Sequence, residues 1–220
     1  MAGINPFLTL TPEVYAYLVE HGHNADPIRR ELAEETARLG AISSLQISPE
    51  QGTFMAILAR AIGARSAVEV GTFTGYSALC VAQALAPDGR MLCCDLSEEW
   101  TSIARRYWIK AGVADKITLR IGPAAETLRA LPATEQFDFG FIDADKPGYR
   151  TYYEEILKRM RSNGLILFDN VLWSGRVAVP SDRDESTLAI REINDFIARD
   201  RRVEAVMLPV GDGLTIVRKR

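Results

Sequence analysis

Three carboxylates, one carboxamide and one lysine follow two short apolar stretches in the second half of the chain. The first stretch is followed by Asp143, Asp145 and Lys146, and the second by Asp169 and Asn170. Carboxylates packed together without a counter-charge repel one another and take up protons. A divalent cation removes that repulsion, and ligands that are all oxygen favour Mg²⁺, with Ca²⁺ or Mn²⁺ as alternatives. The sequence therefore indicates a hard-metal site, although acids that cap helices without a metal would show the same pattern.

In the metal hypothesis, Asp143, Asp169 and Asn170 supply three ligands and leave the other positions to water or substrate oxygens. Asp145 could face either the metal or a bound cofactor. Lys146 is the only lysine of the two groups, and a cation beside it would disfavour the charged ammonium. We therefore expect Lys146 to act as a general base. The alternative is an ion pair with Asp143 or Asp145.

A glycine loop nearer the N-terminus indicates which ligand lies beside this site. Gly71 and Gly75 bound a short loop between an apolar strand, 67–70, and a helical pattern. Such a loop binds nucleotides in open α/β sheets, but the dinucleotide fingerprint needs a glycine where Phe73 stands. The acid Glu69, on the preceding strand, suits a ligand with positive charge and no phosphate. S-adenosylmethionine (SAM) is such a ligand, so the loop favours SAM over a nicotinamide cofactor or a turn that binds nothing.

Two further positions extend the cofactor hypothesis. Asp95 ends the next apolar strand, and a carboxylate about 20 residues after the first glycine of such a loop accepts hydrogen bonds from a ribose diol. An acid is also common immediately before a helix, which is the alternative for Asp95. Ala124 follows Gly122-Pro123 at another helix start, which could face the adenine.

The elements that must position these residues alternate between strand and helix. A doubly wound α/β sheet brings the carboxyl ends of its parallel strands to one edge, where ligands bind. Gly211-Asp-Gly213 predicts a final antiparallel hairpin. Ser48-Pro49-Glu50-Gln51 predicts a capped helix before the first strand. We predict seven strands with helices on both faces, the strands covering residues 67–70, 90–95, 117–121, 137–143, 165–169, 203–208 and 214–217.

The composition is that of an ordinary globular protein with a full core. The chain has 220 residues, 47% of them hydrophobic, and a net charge of −3, so we expect one domain that does not bind nucleic acid. No apolar run is long enough to cross a membrane, and the N-terminus does not show a signal-peptide pattern. We therefore expect a cytoplasmic protein without a membrane partner.

Taken together, these motifs resemble the cation-dependent O-methyltransferases, the group of caffeoyl-CoA and catechol O-methyltransferases. The resemblance runs from about residue 11 to the C-terminus and looks closest to small bacterial catechol-type members, which share Ser97-Glu-Glu-Trp100. The stretches that carry it are Gln46-Ile-Ser-Pro-Glu-Gln-Gly52, Val68-Glu-Val-Gly-Thr-Phe-Thr-Gly-Tyr-Ser77, Phe141-Ile-Asp-Ala-Asp-Lys146, Asp169-Asn-Val-Leu-Trp-Ser-Gly175 and Leu208-Pro-Val-Gly-Asp-Gly213.

The resemblance implies a Rossmann-like class I SAM-dependent methyltransferase fold, with a helical extension over residues 1–45 and a SAM-binding catalytic core over 46–220. It also implies a homodimer, metal ligation by the two aspartates and the asparagine named above, and Lys146 as the base. Phe73 in the glycine loop and Asp143 are added as predicted cofactor contacts. The SAM contacts that the resemblance itself implies are Ile47, Glu69, Gly71, Thr72, Ser77, Asp95, Ala124 and Asp145.

The predicted substrate is an aromatic ring with two neighbouring hydroxyls, of the catechol, caffeate or flavonoid type. Plant members of the group carry asparagine where Ser174 stands and an N-terminal lysine for the CoA ester, whereas residues 1–26 contain no lysine, so a free catechol is favoured. Tyr149 and Trp173 are predicted as walls for the ring, with Ser174 and Lys146 also on the substrate side. Packing in the core is the alternative for both aromatic residues. The rival functions are a nicotinamide-dependent oxidoreductase and a non-catalytic SAM-binding protein.

Overall fold

The computed structural model of the protein describes residues 8–22 and 26–220, and residues 1–7 of the predicted N-terminal extension lie outside it. No helix in the described ranges combines the length and the apolar composition needed to cross a bilayer. The helices are α1 (Pro12–Gly22), α2 (Pro27–Ala37), α3 (Pro49–Ala61), α4 (Tyr76–Ala82), α5 (Glu98–Lys110), α6 (Ala124–Ala130), α7 (Tyr149–Arg159) and α8 (Glu185–Arg199). The strands are β1 (Ser66–Val70), β2 (Arg90–Asp95), β3 (Ile117–Ile121), β4 (Phe137–Ile142), β5 (Met160–Phe168), β6 (Val203–Leu208) and β7 (Leu214–Lys219).

The seven strands form one sheet in the order β3-β2-β1-β4-β5-β7-β6. Strands β1 to β5 pair in parallel, while β7 is antiparallel to both β5 and β6. The predicted mostly parallel sheet with an antiparallel last strand is therefore confirmed. The strand order reverses between β1 and β4, and in such sheets the crevice at the reversal point is where ligands bind.

Side-chain alternation along the strands divides the core into two layers. On one face, Ala67 of β1 and Phe139 of β4 pack with helices α2 to α5. On the other face, Val68 and Ile166 pack with α6, α7 and α8. Helices on both faces were predicted, and this arrangement confirms them. The two buried layers hold the strand ends rigidly, which is what a site at the sheet edge requires.

The predicted start of α3 is confirmed at its cap. The Ser48 hydroxyl accepts a hydrogen bond from the backbone N–H of Gln51 at 3.4 Å, and Pro49 occupies the first turn. The side chain of Gln51 does not turn back to this cap but reaches Asp169, as described below.

Strand β5 begins five residues earlier than we predicted, at Met160 instead of Leu165. Met160 pairs with Phe137 and Leu165 with Phe139, so residues 161–164 bulge opposite a single residue of β4. Asn163 in this bulge has a φ of 62°, a left-handed value typical of turns. The sequence of the bulge therefore looks like a loop, although the strand continues through it.

Candidate active site

A cavity of about 1020 Å³ opens at the carboxyl edge of the sheet, around the ends of β1, β2, β4 and β5. Glu69 and Tyr149 are the predicted site residues that do not line it. The predicted residues that do line it come from the glycine loop, the rim of carboxylates and the segment after β5: Ile47, Gly71, Thr72, Phe73, Ser77, Asp95, Ala124, Asp143, Asp145, Lys146, Asp169, Asn170, Trp173 and Ser174.

The glycine loop after β1 has little room for side chains at its start. Gly71 has a φ of 89°, and a Cβ atom there would lie 2.0 Å from the carbonyl oxygen of Asp143. The loop and the end of β4 therefore touch through backbone atoms, which only glycine permits. Phe73, two residues on, adopts a φ of 52°, a value that is rare and strained for an aromatic residue.

The carboxylate of Asp95 fixes the shape of this loop. Its Oδ2 accepts hydrogen bonds from the backbone N–H groups of Thr72 and Phe73, both at 2.8 Å. Its Oδ1 accepts from the N–H of Ser97 at 2.7 Å, at the start of α5. A carboxylate has about four acceptor sites, so these three bonds leave one free for a ligand. The ribose role of Asp95 stays a prediction, beside a loop-fixing role that we did not predict.

Glu69 lies beneath the loop and is fully buried. Within the described residues, neither of its carboxylate oxygens has a hydrogen-bond partner, and the Thr72 hydroxyl is also unpartnered. Burial raises the pKa of Glu69 to about 8, and the nearby Ser77 and Thr72 hydroxyls oppose this rise only in part. Buried polar atoms without partners are costly, so those beside a cavity indicate a place where a ligand or water supplies the missing bond.

The rim is the group Asp143, Asp145, Lys146, Asp169 and Asn170 at the carboxyl edge of the sheet. Lys146 lies at its centre, and its side chain is only 8% exposed. Its ammonium donates to the Asn170 Oδ1 at 2.6 Å, to the Tyr149 hydroxyl at 2.7 Å and to the Asp143 Oδ1 at 3.3 Å. The ion pair with Asp143, which was the alternative for this lysine, is therefore present. The base role stays a prediction, and the three bonds fix where such a base would stand.

Asp169 is held on both sides. Its Oδ1 accepts from the backbone N–H of Asn170 at 2.7 Å, and its Oδ2 accepts from the Gln51 amide at 2.8 Å. Burial, together with the charge of Asp143, raises the pKa of Asp169 to about 7. Burial also raises the pKa of Asp143, against the opposing effect of Lys146. Gln51 was missed as a site residue because its place in the sequence is fully explained by the helix cap.

Tyr149 shows the core packing that was the alternative to its predicted role as a wall for the substrate ring, and the ring role stays a prediction. The residue is completely buried and packs against Phe168, with 6.0 Å between ring centroids. Its hydroxyl donates to the backbone carbonyl of Asp169 at 3.0 Å and accepts from Lys146. Tyr149 therefore holds the lysine and the end of β5 together.

Asp145 is bound within its own turn. It caps the 3₁₀ turn Lys146–Gly148 by accepting from the N–H of Gly148 at 3.0 Å, and it accepts from the Tyr152 hydroxyl at 2.6 Å. Both Asp145 and Tyr152 line the cavity. The choice between the metal and the cofactor for Asp145 stays open, and Tyr152 is a lining residue that we did not predict.

The segment after β5 forms the far wall of the cavity in a strained conformation. Asn170, Trp173 and Ser174 have φ values of 56°, 48° and 51°, and Gly175 follows at 78°. Left-handed residues other than glycine are uncommon and gather at functional sites. The indole N–H of Trp173 is buried without a partner in the described residues.

The donor set fits a divalent cation. Asp143 and Asp169, together with the amide of Asn170, end the adjacent strands β4 and β5 and offer hard oxygen ligands. The raised pKa values of both aspartates show that the folded chain does not fully balance two buried negative charges there. In the described residues, no group of three His, Cys, Asp or Glu side chains forms a metal cluster, and the set named here combines two carboxylates with an amide.

Comparison with known proteins identifies the family. The sequence profile described as O-methyltransferase matches residues 19–220. The probable caffeoyl-CoA O-methyltransferase 1 of Dictyostelium discoideum is 42% identical over 207 residues, which cover 92% of this chain and 90% of that protein.

Solved structures of related enzymes agree with this match. The O-methyltransferase of Bacillus cereus in complex with SAH superposes with a TM-score of 0.86 at 32% identity, over 94% of this chain and 97% of that one. TomG from Streptomyces achromogenes, an O-methyltransferase of tomaymycin synthesis in complex with SAM, gives a TM-score of 0.87 at 29% identity, over 94% and 96%. The chain therefore belongs to the O-methyltransferase family, as a SAM-dependent enzyme of the caffeoyl-CoA O-methyltransferase type.

Proposed function

We propose that this enzyme depends on a divalent cation, with Mg²⁺ as the first candidate, and methylates one hydroxyl of a vicinal diol on an aromatic ring. The observation that carries the proposal is the rim where Asp143, Asp169 and Asn170 meet a buried lysine beside the glycine loop. The alternative of a nicotinamide oxidoreductase loses its support, because the chain belongs to a methyltransferase family.

In this proposal Asp143, Asp169 and Asn170 hold the cation, while the glycine loop, Asp95 and Glu69 hold SAM. When bound, the cation would acidify and orient the diol, and SAM would supply the methyl group. The chain contributes the geometry, because Gln51 and the N–H of Asn170 fix both oxygens of the Asp169 carboxylate.

Lys146 is proposed as the proton acceptor, at its Nζ. The Asn170 amide and the Tyr149 hydroxyl hold that nitrogen at the cavity, where a diol oxygen would arrive. A positioned base contributes about 10²–10⁴-fold to the rate. Trp173, at the far wall, would hold the ring against the rim, and such orientation supplies up to about 7–11 kcal/mol of the barrier.

We propose a small free diol as the acceptor instead of a CoA ester. Among the described residues that line the cavity, Lys146 is the one with a cationic side chain, and five aspartates lie around it. A CoA ester carries several phosphate charges that this lining would not neutralise. The relative from Dictyostelium discoideum is named for caffeoyl-CoA, so both kinds of acceptor belong in the test.

The experiment measures methyl transfer from labelled SAM to catechol, caffeate and caffeoyl-CoA, with Mg²⁺ and after chelation. Resorcinol, whose two hydroxyls are not neighbours, is the matched control. We expect turnover of catechol and caffeate, lost on chelation and restored by the metal, and little turnover of caffeoyl-CoA or resorcinol. Equal turnover after chelation, or equal turnover of resorcinol, would contradict the proposal. Light scattering of the same preparation tests the homodimer, which we propose from the family resemblance.

A further inference from the structure

The far wall of the cavity belongs to one irregular segment, residues 171–182, which we call the acceptor loop. Its first residues lie on the β6–β7 hairpin: the Leu172 N–H donates to the carbonyl of Asp212 at 3.0 Å, and the Ser174 N–H to the Asp212 carboxylate at 2.6 Å. The backbone around Trp173 and Ser174, which line the cavity, is therefore hydrogen-bonded to the hairpin at one end of the loop.

The rest of the acceptor loop is bound by one side chain of α8, Arg191, and by the ion pair between Arg176 and Asp182 within the loop. Its Nε donates to the carbonyl of Val177 at 2.9 Å and its Nη1 to that of Asp182 at 2.9 Å. Its Nη2 donates to the carbonyls of Arg176, at 3.0 Å, and of Val179. One guanidinium thus pairs with four backbone carbonyls of a segment that belongs to no strand or α-helix.

The same helix also holds the start of the loop. Asn194, three residues after Arg191, donates its side-chain N–H to the carbonyl of Val171 at 2.9 Å. Between these two anchors lie three consecutive left-handed residues, Trp173 to Gly175. Such a conformation persists only where its surroundings fix it.

We propose that Arg191 is the positioning residue for the methyl acceptor, acting through the acceptor loop to keep Trp173 at the cavity. Arginine suits the task because its planar fork carries five donors in fixed directions, whereas lysine presents three donors at one point. The proposal rests on the proposed function in one respect, namely that this side of the cavity receives the acceptor. The hydrogen bonds of Arg191 go neither to the rim nor to the glycine loop, so we expect SAM binding not to depend on it.

The decisive variant is Arg191→Lys, which keeps the charge but not the fork. We expect faster amide hydrogen exchange confined to residues 171–182, an acceptor KM raised roughly tenfold and a SAM affinity within about twofold of wild type. Arg199→Lys is the matched control on the same helix, because Arg199 is 80% exposed and pairs only with Asp195. The control should change none of the three quantities.

A milder variant keeps the test decisive if Arg191→Lys does not fold. Arg176→Gln removes the ion pair with Asp182 inside the loop, 2.7 Å between Nε and Oδ2, and should shift exchange and KM in the same direction by less. Unchanged exchange in the loop would overturn the proposal, and so would faster exchange with an unchanged acceptor KM. Hydrogen exchange is measured without a methyl acceptor. It therefore tests the role of Arg191 in the acceptor loop separately from the proposed methylation of diols.

Discussion

The Lys146 side chain is buried, and three neighbouring side chains fix the position of its Nζ. The ammonium is bound by an amide, a phenol and a carboxylate from three points of the rim, Asn170, Tyr149 and Asp143. Such a group needs all its donors satisfied, since an unpaired buried charge is costly. The three bonds hold the Lys146 Nζ in one position at the cavity.

The first prediction concerns this lysine. Lys146→Ala should lower kcat by roughly 10²–10⁴-fold, the contribution of a positioned base, while SAM still binds. Steady-state rates and calorimetric SAM titration measure the two effects. Lys158→Ala, at an exposed lysine of α7, is the control. A variant that retains the full rate would end the assignment of Lys146 as the base.

The second prediction concerns Asp95. Asp95→Ala should weaken SAM binding by about 1–3 kcal/mol, because the N–H groups of Thr72 and Phe73 lose their acceptor and the loop loses its shape. Asp88→Ala, at an exposed aspartate that pairs with Arg65, serves as the control. Calorimetry that returned wild-type affinity for Asp95→Ala would rule out both the loop role and the ribose role.

Single residues also mark the limit of inference from the sequence. Lys146 and the metal-type ligands were found because charged groups at strand ends are visible in a linear pattern. The burial of Tyr149 was not predictable because spacing does not tell whether the first residue of a helix faces the cavity or the core. Gln51 was missed as a site residue because its partner, Asp169, is 118 positions away along the chain.

At the scale of elements, the glycine loop is defined by a close approach between two strand ends. The backbone of Gly71 lies against the carbonyl of Asp143, so β1 and β4 bring the cofactor loop and the carboxylate rim into contact. The same contact would transmit any shift of the loop to the rim.

The third prediction separates this close approach from backbone strain. Gly71→Ala should destabilise the fold by several kcal/mol and abolish SAM binding, because its Cβ would overlap a carbonyl oxygen. Gly112→Ala is the matched control, since Gly112 also has a positive φ, 66°, but has nothing within 4 Å of the added atom. The free energy of unfolding of the control should fall by only about 1 kcal/mol, the cost of the left-handed conformation. Similar losses in both variants, measured by chemical unfolding, would contradict the argument.

Most elements were predictable because strand, turn and helix signals agree locally. Strands β2 and β3 occupy the predicted residues, 90–95 and 117–121, since a turn or a helix cap bounds each of them. The predicted strand β5 was too short because its bulge, residues 161–164, has the residues of a turn. A bulge is stabilised by the neighbouring strand, which no local pattern contains.

For the molecule as a whole, the seven-stranded fold followed from alternation and connection rules, and the comparisons fixed the family. The strained acceptor loop did not follow, because anchors on α8 and on the hairpin hold it in place. These anchors are distant in sequence, so only the folded structure brings them together.

The fourth prediction is a pH dependence of global stability. Burial raises the pKa of Glu69 from 4.5 to about 8, so the folded state binds the extra proton between these values. This proton's contribution to the free energy of unfolding is fully present below about pH 4.5 and is lost as the pH rises through about 8. The contribution is a few kcal/mol at most, since one pKa unit corresponds to about 1.4 kcal/mol. Glu69→Gln should therefore become more stable than wild type as the pH rises.

Thermal and chemical unfolding without SAM between pH 5 and pH 8 tests this prediction. Glu34→Gln, at an exposed glutamate of α2, should run parallel to wild type over the whole range. If the difference in unfolding free energy between Glu69→Gln and wild type stayed constant with pH, Glu69 would ionise normally in the folded protein. The same variant should bind SAM more weakly at pH 8, where wild type presents a carboxylate.

The position of β7 has a consequence for how the molecule forms as it leaves the ribosome. This strand follows all the others along the chain, yet it lies inside the sheet, between β5 and β6. A nascent chain that has reached β6 has no neighbour for it and leaves the hydrogen-bonding edge of β5 open to other polypeptides. The sheet is therefore complete only after β7 has inserted between β5 and β6, and Asp212, which lines the cavity from the hairpin, reaches its place last.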